Sequence, residues 1–246
     1  MSQPDLSGRV VVVTGASRGI GWNAAVALGA AGAHVIAIAR TVGALEELDD
    51  AIRAKGGSSA TLVPLDLKDH DAIDRLGLSI YERWGKLDGL LGNAGLLGLI
   101  TPVTHLEPKE WNDVFALNVT SNYRLIRSLD PLLQRSDAGR ALFLTSGATE
   151  RCRPFWGVYS ASKAALDALV RTYAAEIAST NVRANLLDPG KLRTQMRAKA
   201  APGEDPMSLP HPREVAADIV RMLAPDFTDN GTRFEFASGT LTRFLD

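Results

Sequence analysis

The sequence has little cysteine, little histidine and almost no net charge. Its 246 residues include one cysteine, Cys152, which excludes an intramolecular disulfide framework and fits a reducing compartment. The four histidines are scattered, and none lies at a metal-ligand spacing from another or from Cys152. With 27 basic and 28 acidic residues the formal charge is −1, which argues against a nucleic-acid-binding surface. We therefore expect no metal site and no nucleic-acid partner.

The sequence pattern also gives no sign of a signal peptide or of a membrane-spanning helix. Residues 1–6 have neither the basic start nor the apolar block of a signal peptide, so we expect a cytoplasmic protein. Residues 19–39 form an uncharged run, but glycines interrupt it and its pattern changes from helical to β-type near Gly32. This run is better explained by a helix, a turn and a buried strand than by a transmembrane helix. We expect no membrane association.

Short apolar runs alternate with longer amphipathic stretches along the whole chain. Several runs are nearly continuous in apolar residues, as expected for strands covered on both faces. This pattern predicts an α/β fold, a single-domain doubly wound Rossmann fold over residues 1–246, with a seven-stranded, mostly parallel sheet and helices on both faces. The proline-rich segment 190–210 is predicted to be an irregular lid or a pair of short helices. The predicted strands are 10–14, 34–39, 60–65, 87–92, 140–145, 182–187 and 232–237, and the predicted helices are 19–31, 43–55, 69–84, 108–135, 157–179 and 211–224.

A glycine-rich loop follows the first predicted strand. Ligands of doubly wound sheets bind beyond the carboxyl ends of the strands, so this loop lies where a ligand is expected. Its glycines allow a tight turn and a close approach to a pyrophosphate, and the next helix presents unpaired N–H groups there. The loop predicts a dinucleotide site that includes Gly15, Ser17, Arg18, Gly19, Ile20 and Gly21.

The end of the second strand indicates which dinucleotide is preferred. An acidic residue at this point would bind the ribose hydroxyls of the adenosine, but the sequence has Ala39 and Arg40. A small residue followed by a guanidinium accommodates a 2′-phosphate, and Arg18 adds a second cation. We therefore predict NADP(H) as the preferred cofactor, with NAD(H) possible.

Four further motifs follow the glycine loop along the chain. Asn93-Ala94-Gly95 follows the fourth strand, Ser146 follows the fifth, and Tyr159-x-x-x-Lys163 and Pro189-Gly190 come later. Together with the glycine loop, their spacing resembles the short-chain dehydrogenase/reductase family over essentially the whole chain. The resemblance implies hydride transfer between a nicotinamide and an alcohol or carbonyl carbon, and a homodimer or homotetramer. Segment 234–240 departs from the family pattern, since it lacks the common aspartate-glycine-glycine ending.

The resemblance also implies roles for individual residues. Tyr159 exchanges a proton with the substrate oxygen, Ser146 hydrogen-bonds that oxygen, and Lys163 also holds the nicotinamide ribose. Asn118 supports a water leading to the lysine, although a satisfied core amide is an open alternative for this residue. The remaining cofactor contacts that the resemblance implies are Asp66 and Asn93 on the adenine side, Thr194 at the carboxamide, and Gly95, Pro189 and Gly190.

Physical reasoning supports the pairing of Tyr159 with Lys163. Residues four apart share one face of a helix, and Leu166, Val170, Tyr173 and Ile177 continue that face as an apolar stripe. A tyrosine pKa of about 10 is too high for efficient acid–base catalysis near neutrality. A cation about 4 Å away at an effective dielectric of about 20 contributes roughly 4 kcal/mol, or about three pKa units. We expect Lys163 to lower the pKa of the Tyr159 phenol.

Two other classes of function fit parts of the sequence. Ser160-Ala-Ser-Lys163 matches the serine–lysine pair of S-x-x-K acyl enzymes, but the companion motifs of that class and an export signal are missing. A cofactor-binding sensor or scaffold without turnover is the second alternative, and it predicts an incomplete set of catalytic residues. Ser146, Tyr159, Lys163 and Asn118 are all present.

The substrate is predicted from the loop between Ser146 and Tyr159. Residues 147–158 include Phe155 and Trp156, and residues 96–100 supply several leucines and an isoleucine after the fourth strand. Aromatic and aliphatic side chains favour a small carbonyl or alcohol substrate with an apolar body. Arg151 and Arg153 either attract an anionic tail or lie on a solvated surface.

Overall fold

The computed structural model describes residues 4–244, in which eight strands form one sheet. The strand order is β3-β2-β1-β4-β5-β6-β7-β8, and the first seven strands in the chain run parallel. This order reverses between β1 and β4, which confirms the doubly wound topology. The strands are β1 (Val10–Thr14), β2 (His34–Ala39), β3 (Thr61–Pro64), β4 (Gly89–Gly92), β5 (Arg140–Leu144), β6 (Arg183–Asp188), β7 (Thr232–Glu235) and β8 (Thr240–Arg243).

Helices cover both faces of the sheet, as predicted. One core cluster lies between the sheet and α1, α2 and α9, and the other lies between the sheet and α3, α5 and α7. Along β1, Val11 and Val13 enter the first cluster while Val10 and Val12 enter the second, because successive side chains of a strand point to opposite faces. The helices are α1 (Gly19–Ala30), α2 (Val42–Ala54), α3 (His70–Trp84), α4 (Pro108–Phe115), α5 (Ser121–Leu133), α6 (Ala148–Arg151), α7 (Gly157–Glu176), α8 (Gln195–Ala200) and α9 (Pro212–Leu223).

The predicted helix 108–135 contains a π-helical turn between α4 and α5. This turn covers Ala116–Thr120 and has the buried Asn118 at its centre. Two side chains at the start of α5 donate hydrogen bonds to carbonyl groups of this turn. Ser121 Oγ donates to the Leu117 carbonyl, and Asn122 Nδ2 donates to the Asn118 carbonyl at 2.9 Å. Single π-helical turns are frequent at functional sites.

An eighth strand extends the sheet beyond the seven that the sequence predicted. β8 runs antiparallel to β7 after a short turn in which Gly239 has a φ of 69° and donates its N–H to the Glu235 carbonyl at 2.8 Å. All four residues of β8 are exposed. An exposed edge strand has no core-facing apolar residues, so hydrophobic periodicity gave no signal for it.

The segment 190–210 forms two short helical pieces. They are α8 and a 3₁₀ turn over Pro206–Ser208, which matches the predicted pair of short helices. Arg197 of α8 forms an ion pair with Glu204, and Lys191 pairs with the same carboxylate at 3.5 Å. These two ion pairs fold the segment back on itself beside the sheet.

Candidate active site

The carboxyl ends of the central strands open into a cleft of about 1010 Å³. Its size is at the upper end of the range for ligand pockets in proteins. It therefore offers enough space for a dinucleotide and a small substrate together. The sequence-predicted site residues that line the cleft are Gly15, Ser17, Arg18, Gly19, Ile20, Arg40, Asp66, Asn93, Gly95, Ser146, Tyr159, Lys163, Pro189, Gly190 and Thr194, whereas Gly21 and Asn118 lie behind its surface.

The glycine loop is packed too tightly for side chains. A Cβ atom at Gly15 would lie 2.8 Å from Asn93 Nδ2, and one at Gly21 would overlap the Gly15 carbonyl oxygen. Gly15 and Gly19 also have φ values of 66° and 60°, which L residues with side chains rarely adopt. The side chain of Asn93 supports the loop by donating to the Thr14 carbonyl at 2.7 Å. Its predicted contact with the adenine side stays a prediction.

The residues at this end of the cleft fit an anionic dinucleotide. The first turn of α1 has no side-chain cap at Arg18, and Gly19 and Ile20 at its start line the cleft. A phosphate bound there would accept from N–H groups that a helix leaves unpaired at its start. Arg40 is exposed at the end of β2 and forms no ion pair with the rest of residues 4–244. Arg18 Nη1 donates to Gln195 Oε1 at 3.0 Å, which ties the loop to α8.

Ser146, Tyr159 and Lys163 all line the cleft. Ser146 lies just beyond β5, while Tyr159 and Lys163 lie on successive turns at the start of α7. Both α7 residues are buried, and the predicted apolar stripe that follows them, from Leu166 to Ile177, is buried as well. Lys163 Nζ donates to the Leu144 carbonyl at the end of β5 at 2.7 Å. Gly95 faces this group, since a Cβ there would lie 3.7 Å from Lys163 Nζ.

Burial controls the ionisation of both α7 residues. It raises the pKa of Tyr159 to about 12, with hydrogen bonding to Ser146 lowering it and the charge of Asp188 raising it further. Burial lowers the pKa of Lys163 to about 8, and the carboxylates of Asp167 and Asp188 act against it. The expectation that Lys163 lowers the pKa of the phenol is wrong in this structure. Desolvation of the phenol dominates, and the ammonium is bound to a backbone carbonyl instead.

Asn118 has the hydrogen bonds of a satisfied core amide. Its Oδ1 accepts from the Leu96 N–H at 2.7 Å, and its Nδ2 donates to the Leu96 carbonyl and to Ser162 Oγ, both at 2.9 Å. These bonds join segment 93–98 to the helix that carries Lys163. The role of Asn118 in supporting a water stays a prediction.

The substrate side of the cleft is mostly apolar. Leu96, Leu97, Leu99, Ile100 and Trp156 line it. The Trp156 ring contacts the Tyr159 ring edge to face, with centroids 5.9 Å apart at an interplanar angle of 71°. Arg151 and Arg153 line the rim and are exposed, whereas Phe155 is 53% exposed and does not line the cleft.

Segment 190–210 borders the glycine loop. Thr194 Oγ1 accepts from the Arg197 N–H at 3.1 Å and so caps α8. The hydroxyl keeps its own donor, and its predicted contact with a carboxamide stays a prediction. A Cβ at Gly19 would lie 3.7 Å from the Thr194 methyl group. Contact with Thr194 and with Gln195 therefore brings this segment over the phosphate end of the cleft.

Three charged residues near Lys163 were missed by the sequence analysis. Asp167 lies four residues after Lys163, a spacing that could have identified it as a neighbour on the same helix face. Asp188 directly precedes Pro189-Gly190, and Arg233 lies on β7 with no motif around it. Arg233 contacts both acids, at 3.7 Å from Asp167 and 3.1 Å from Asp188.

The geometry does not favour the serine acyl enzyme. Ser160 does not line the cleft, and its buried Oγ has no hydrogen-bond partner within residues 4–244. Lys163 therefore does not act on Ser160 here. Over the same residues no cluster of histidine, cysteine, aspartate and glutamate could hold a metal ion. None of the helices described is long and apolar enough to cross a membrane.

The chain is similar to known proteins over most of its length. The family model for short chain dehydrogenases matches residues 9–205. An Escherichia coli K12 protein named uncharacterized oxidoreductase YciK is 37% identical over 223 residues, covering 90% of this chain and 88% of that protein. The crystal structure of a short chain dehydrogenase from Salmonella enterica serovar Typhi CT18 superposes with a TM-score of 0.92 at 34% identity, covering 96% of this chain and 98% of the other. An Escherichia coli CFT073 chain crystallised with NADPH gives a TM-score of 0.91 at 35% identity, covering 96% and 99%.

The hydrogen bonds of Asn118 should contribute measurably to stability. Asn118→Leu keeps the size of the side chain but leaves the Leu96 N–H and carbonyl without partners, so we expect the free energy of unfolding to fall by about 1–3 kcal/mol. Urea denaturation measures this change. Asn112→Leu, at an exposed position of α4, is the control and should change stability by less than about 0.5 kcal/mol. Equal effects of the two substitutions would contradict the anchoring role.

Proposed function

The chain belongs to the short-chain dehydrogenase family, and on that basis it is an NAD(P)-dependent oxidoreductase that acts on CH–OH or C=O groups. We propose that it transfers a hydride between NADP(H) and the carbonyl or secondary alcohol carbon of a small, largely apolar substrate. The observation that carries this proposal is the meeting of Ser146, Tyr159 and Lys163 in one cleft with the glycine loop.

The choice of NADP(H) rests on the charges at the phosphate end of the cleft. The uncapped first turn of α1 suits the pyrophosphate, and Arg18 and Arg40 suit a 2′-phosphate that a carboxylate at Ala39 would repel. The crystal structure of the Escherichia coli relative with NADPH supports this choice. When bound, NADPH supplies the hydride that reaches the carbonyl carbon. Lys163 would hold the nicotinamide ribose.

Tyr159 and Ser146 would act on the substrate oxygen. A phenol with a pKa of about 12 holds its proton at neutral pH, but it is still a stronger acid than the alcohol formed when a carbonyl carbon accepts a hydride. Tyr159 would therefore donate its proton to that oxygen as the hydride is transferred. The Ser146 hydroxyl donates a hydrogen bond to the same oxygen and so stabilises the charge that develops there.

The proposed substrate class rests on the apolar lining beside Tyr159. Leu96, Leu97, Leu99 and Trp156 offer apolar surface to the body of the substrate. They also exclude water from the reacting carbon, which strengthens the hydrogen bonds made there. Arg151 and Arg153 at the rim would attract an anionic tail if the substrate has one. The segment 190–210 would close over the cleft as a lid, since it already touches the glycine loop.

Tyr159→Phe tests the acid–base role. Removing the hydroxyl should lower kcat by at least about tenfold and up to about 10⁴-fold, because general acid–base catalysis contributes about 10²–10⁴. The affinity for NADPH should stay nearly unchanged, since the ring remains. NADPH oxidation with a panel of ketones, aldehydes, quinones and acyl thioesters measures the rate. Tyr123→Phe, at an exposed position of α5, is the control. NADPH binding without turnover of any panel member by the wild type would favour the sensor alternative.

Ala39→Asp tests the preference for NADP(H). A carboxylate at this position should repel the 2′-phosphate and bind the ribose hydroxyls of NADH, so the preference should reverse. Isothermal titration of NADPH and NADH into both proteins measures it. Equal affinities of the wild type for the two cofactors would contradict the proposal.

Trp156→Ala tests the apolar substrate site. Loss of the indole removes contact area next to Tyr159, so KM for apolar ketones should rise by about tenfold, as expected for about 1–3 kcal/mol of lost contact. Steady-state kinetics on the same panel measure the change. Phe155→Ala, whose side chain lies outside the cleft, is the matched control. An unchanged KM, or a higher kcat/KM for polyhydroxylated substrates in the wild type, would refute the proposed class.

A homodimer or homotetramer is also part of the proposal. The small-residue face of α7 supports it, because Ala164, Ala168 and Ala175 are exposed in the single chain and suit close helix–helix approach. Trp111 and Tyr123 add exposed aromatic surface on α4 and α5. Light scattering at micromolar concentration should give two or four times the mass of one chain. A monomer at that concentration would refute this part.

A further inference from the structure

A charged cluster formed by residues of α7, β6 and β7 lies beside the cleft, and one of its members also lines it. We call Asp167, Asp188 and Arg233 the acid–arginine cluster. Arg233 Nη2 lies 3.1 Å from Asp188 Oδ2, and Arg233 Nη1 lies 3.7 Å from Asp167 Oδ2. The three side chains are 12% to 15% exposed. Ion pairs at a surface are weakened by water, but water screens a cluster this buried much less.

Three separate elements hold the cluster in place. Asp167 is one turn beyond Lys163 on α7, Asp188 is the last residue of β6, and Arg233 comes from β7, which pairs with β6. The Gly190 N–H donates to Asp188 Oδ1 at 3.0 Å, and Glu150 of α6 accepts from Arg233 Nη1 at 2.7 Å. This framework fixes the two carboxylates relative to the helix that carries Lys163.

Lys163 needs nearby negative charge to remain an ammonium. Its side chain is fully buried, and burial alone favours the neutral amine. Its hydrogen-bond acceptor, the Leu144 carbonyl, is uncharged, and the Tyr159 phenol on the same helix is neutral at pH 7. Gly95, which faces Lys163 from the loop after β4, and Asn118, which lies next to Gly95, carry no charge. Negative charge at Lys163 therefore comes from Asp167 and Asp188, whose carboxylates act against the effect of burial.

We propose that Asp167 and Asp188, held by Arg233, are positioning residues that keep the buried amino group of Lys163 charged at neutral pH. Arg233 has the complementary task of keeping Asp167 ionised. Burial raises the pKa of Asp167, while a hydrogen bond with Thr145 and the charge of the Arg233 guanidinium act in the opposite direction. The proposal rests on the function proposed above, in which the Lys163 ammonium holds the ribose.

The direct test measures the ionisation of Lys163 in the whole protein. The ¹⁵N NMR signal of Lys163 Nζ, assigned by its loss in Lys163→Arg, is followed against pH in the wild type and in Asp167→Asn. We expect a pKa near 8 in the wild type and a fall of about one unit or more in the variant, because one opposite charge at close range shifts a pKa by about 1–3 units. Asp74→Asn, which removes the ion pair with Arg124 far from the cleft, is the control and should leave the pKa unchanged.

A second measurement follows the consequence for cofactor binding. Lysine is charged below its pKa, so the affinity of the wild type for NADPH should fall as the pH rises through about 8. In Asp167→Asn the same loss should occur about one pH unit lower, with equal affinity at pH 6 within about twofold. A purely structural role would weaken binding equally at every pH. That result, or an unshifted Lys163 pKa in the variant, overturns the proposal.

The other outcomes are equally decisive. If Asp167→Asn does not fold, Asp188→Asn must lower the Lys163 pKa by the same test. A Lys163 pKa below 7 in the wild type overturns the proposal without any variant. Arg233→Lys, which keeps the positive charge, should retain most of the wild-type pKa. In one outcome the Lys163 pKa shifts in the variant but the pH dependence of NADPH binding does not change. This outcome would support the effect of the acid–arginine cluster on Lys163 and contradict the proposed role of Lys163 in holding the cofactor. Failure of the cluster proposal and failure of the proposed function are therefore distinguishable.

Discussion

The burial of a lysine at the carboxyl edge of the sheet is the constraint on which the site depends. Removing an ammonium from water costs several kcal/mol unless other groups compensate it. Lys163 is compensated by the Leu144 carbonyl and by the nearby carboxylates of Asp167 and Asp188. The apolar stripe of α7 also offsets the free-energy cost of burying the lysine, since burying a side chain such as Leu166 or Val170 stabilises the fold by about 1.5–3 kcal/mol. The same packing fixes Tyr159 one turn before the lysine.

The parallel sheet explains why residues so distant in the sequence meet. The glycine loop, Asn93, Ser146 and Asp188 all lie at carboxyl ends of strands or just beyond them, and in a parallel sheet these ends share one edge. Strand order reverses between β1 and β4, so the helices after these strands cover opposite faces and leave a crevice between them. Neutral amides then connect the parts: Asn93 supports the glycine loop, and Asn118 joins the segment after β4 to α7.

The sequence predicted most of the scaffold because the scaffold depends on periodic burial. The bounds of β1 and β2 agree with the prediction residue by residue, since both strands are continuous apolar runs. β8 was missed because all its residues face solvent, and the π-helical turn was missed because the apolar stripe runs on through it.

Details of the site were harder to predict. Spacing along α7 correctly indicated that Tyr159 and Lys163 share a face, but it could not show that Lys163 Nζ turns to the Leu144 carbonyl. The pKa of the phenol therefore moves upward rather than downward. The partners of Asn93, Asn118 and Arg233 likewise depend on contacts between elements far apart in the chain, which no local pattern encodes.

The central claim is that the cluster of Ser146, Tyr159 and Lys163 directs a hydride to a carbonyl carbon. The most direct measurement uses NADPH that carries deuterium at the transferable position of the nicotinamide, with mass spectrometry of the alcohol formed from an apolar ketone. We expect one deuterium on the carbinol carbon of the product formed by the wild type, and at least about tenfold less labelled product with Tyr159→Phe in the same time. Oxidation of the labelled NADPH without deuterium in the product would contradict the proposed hydride transfer.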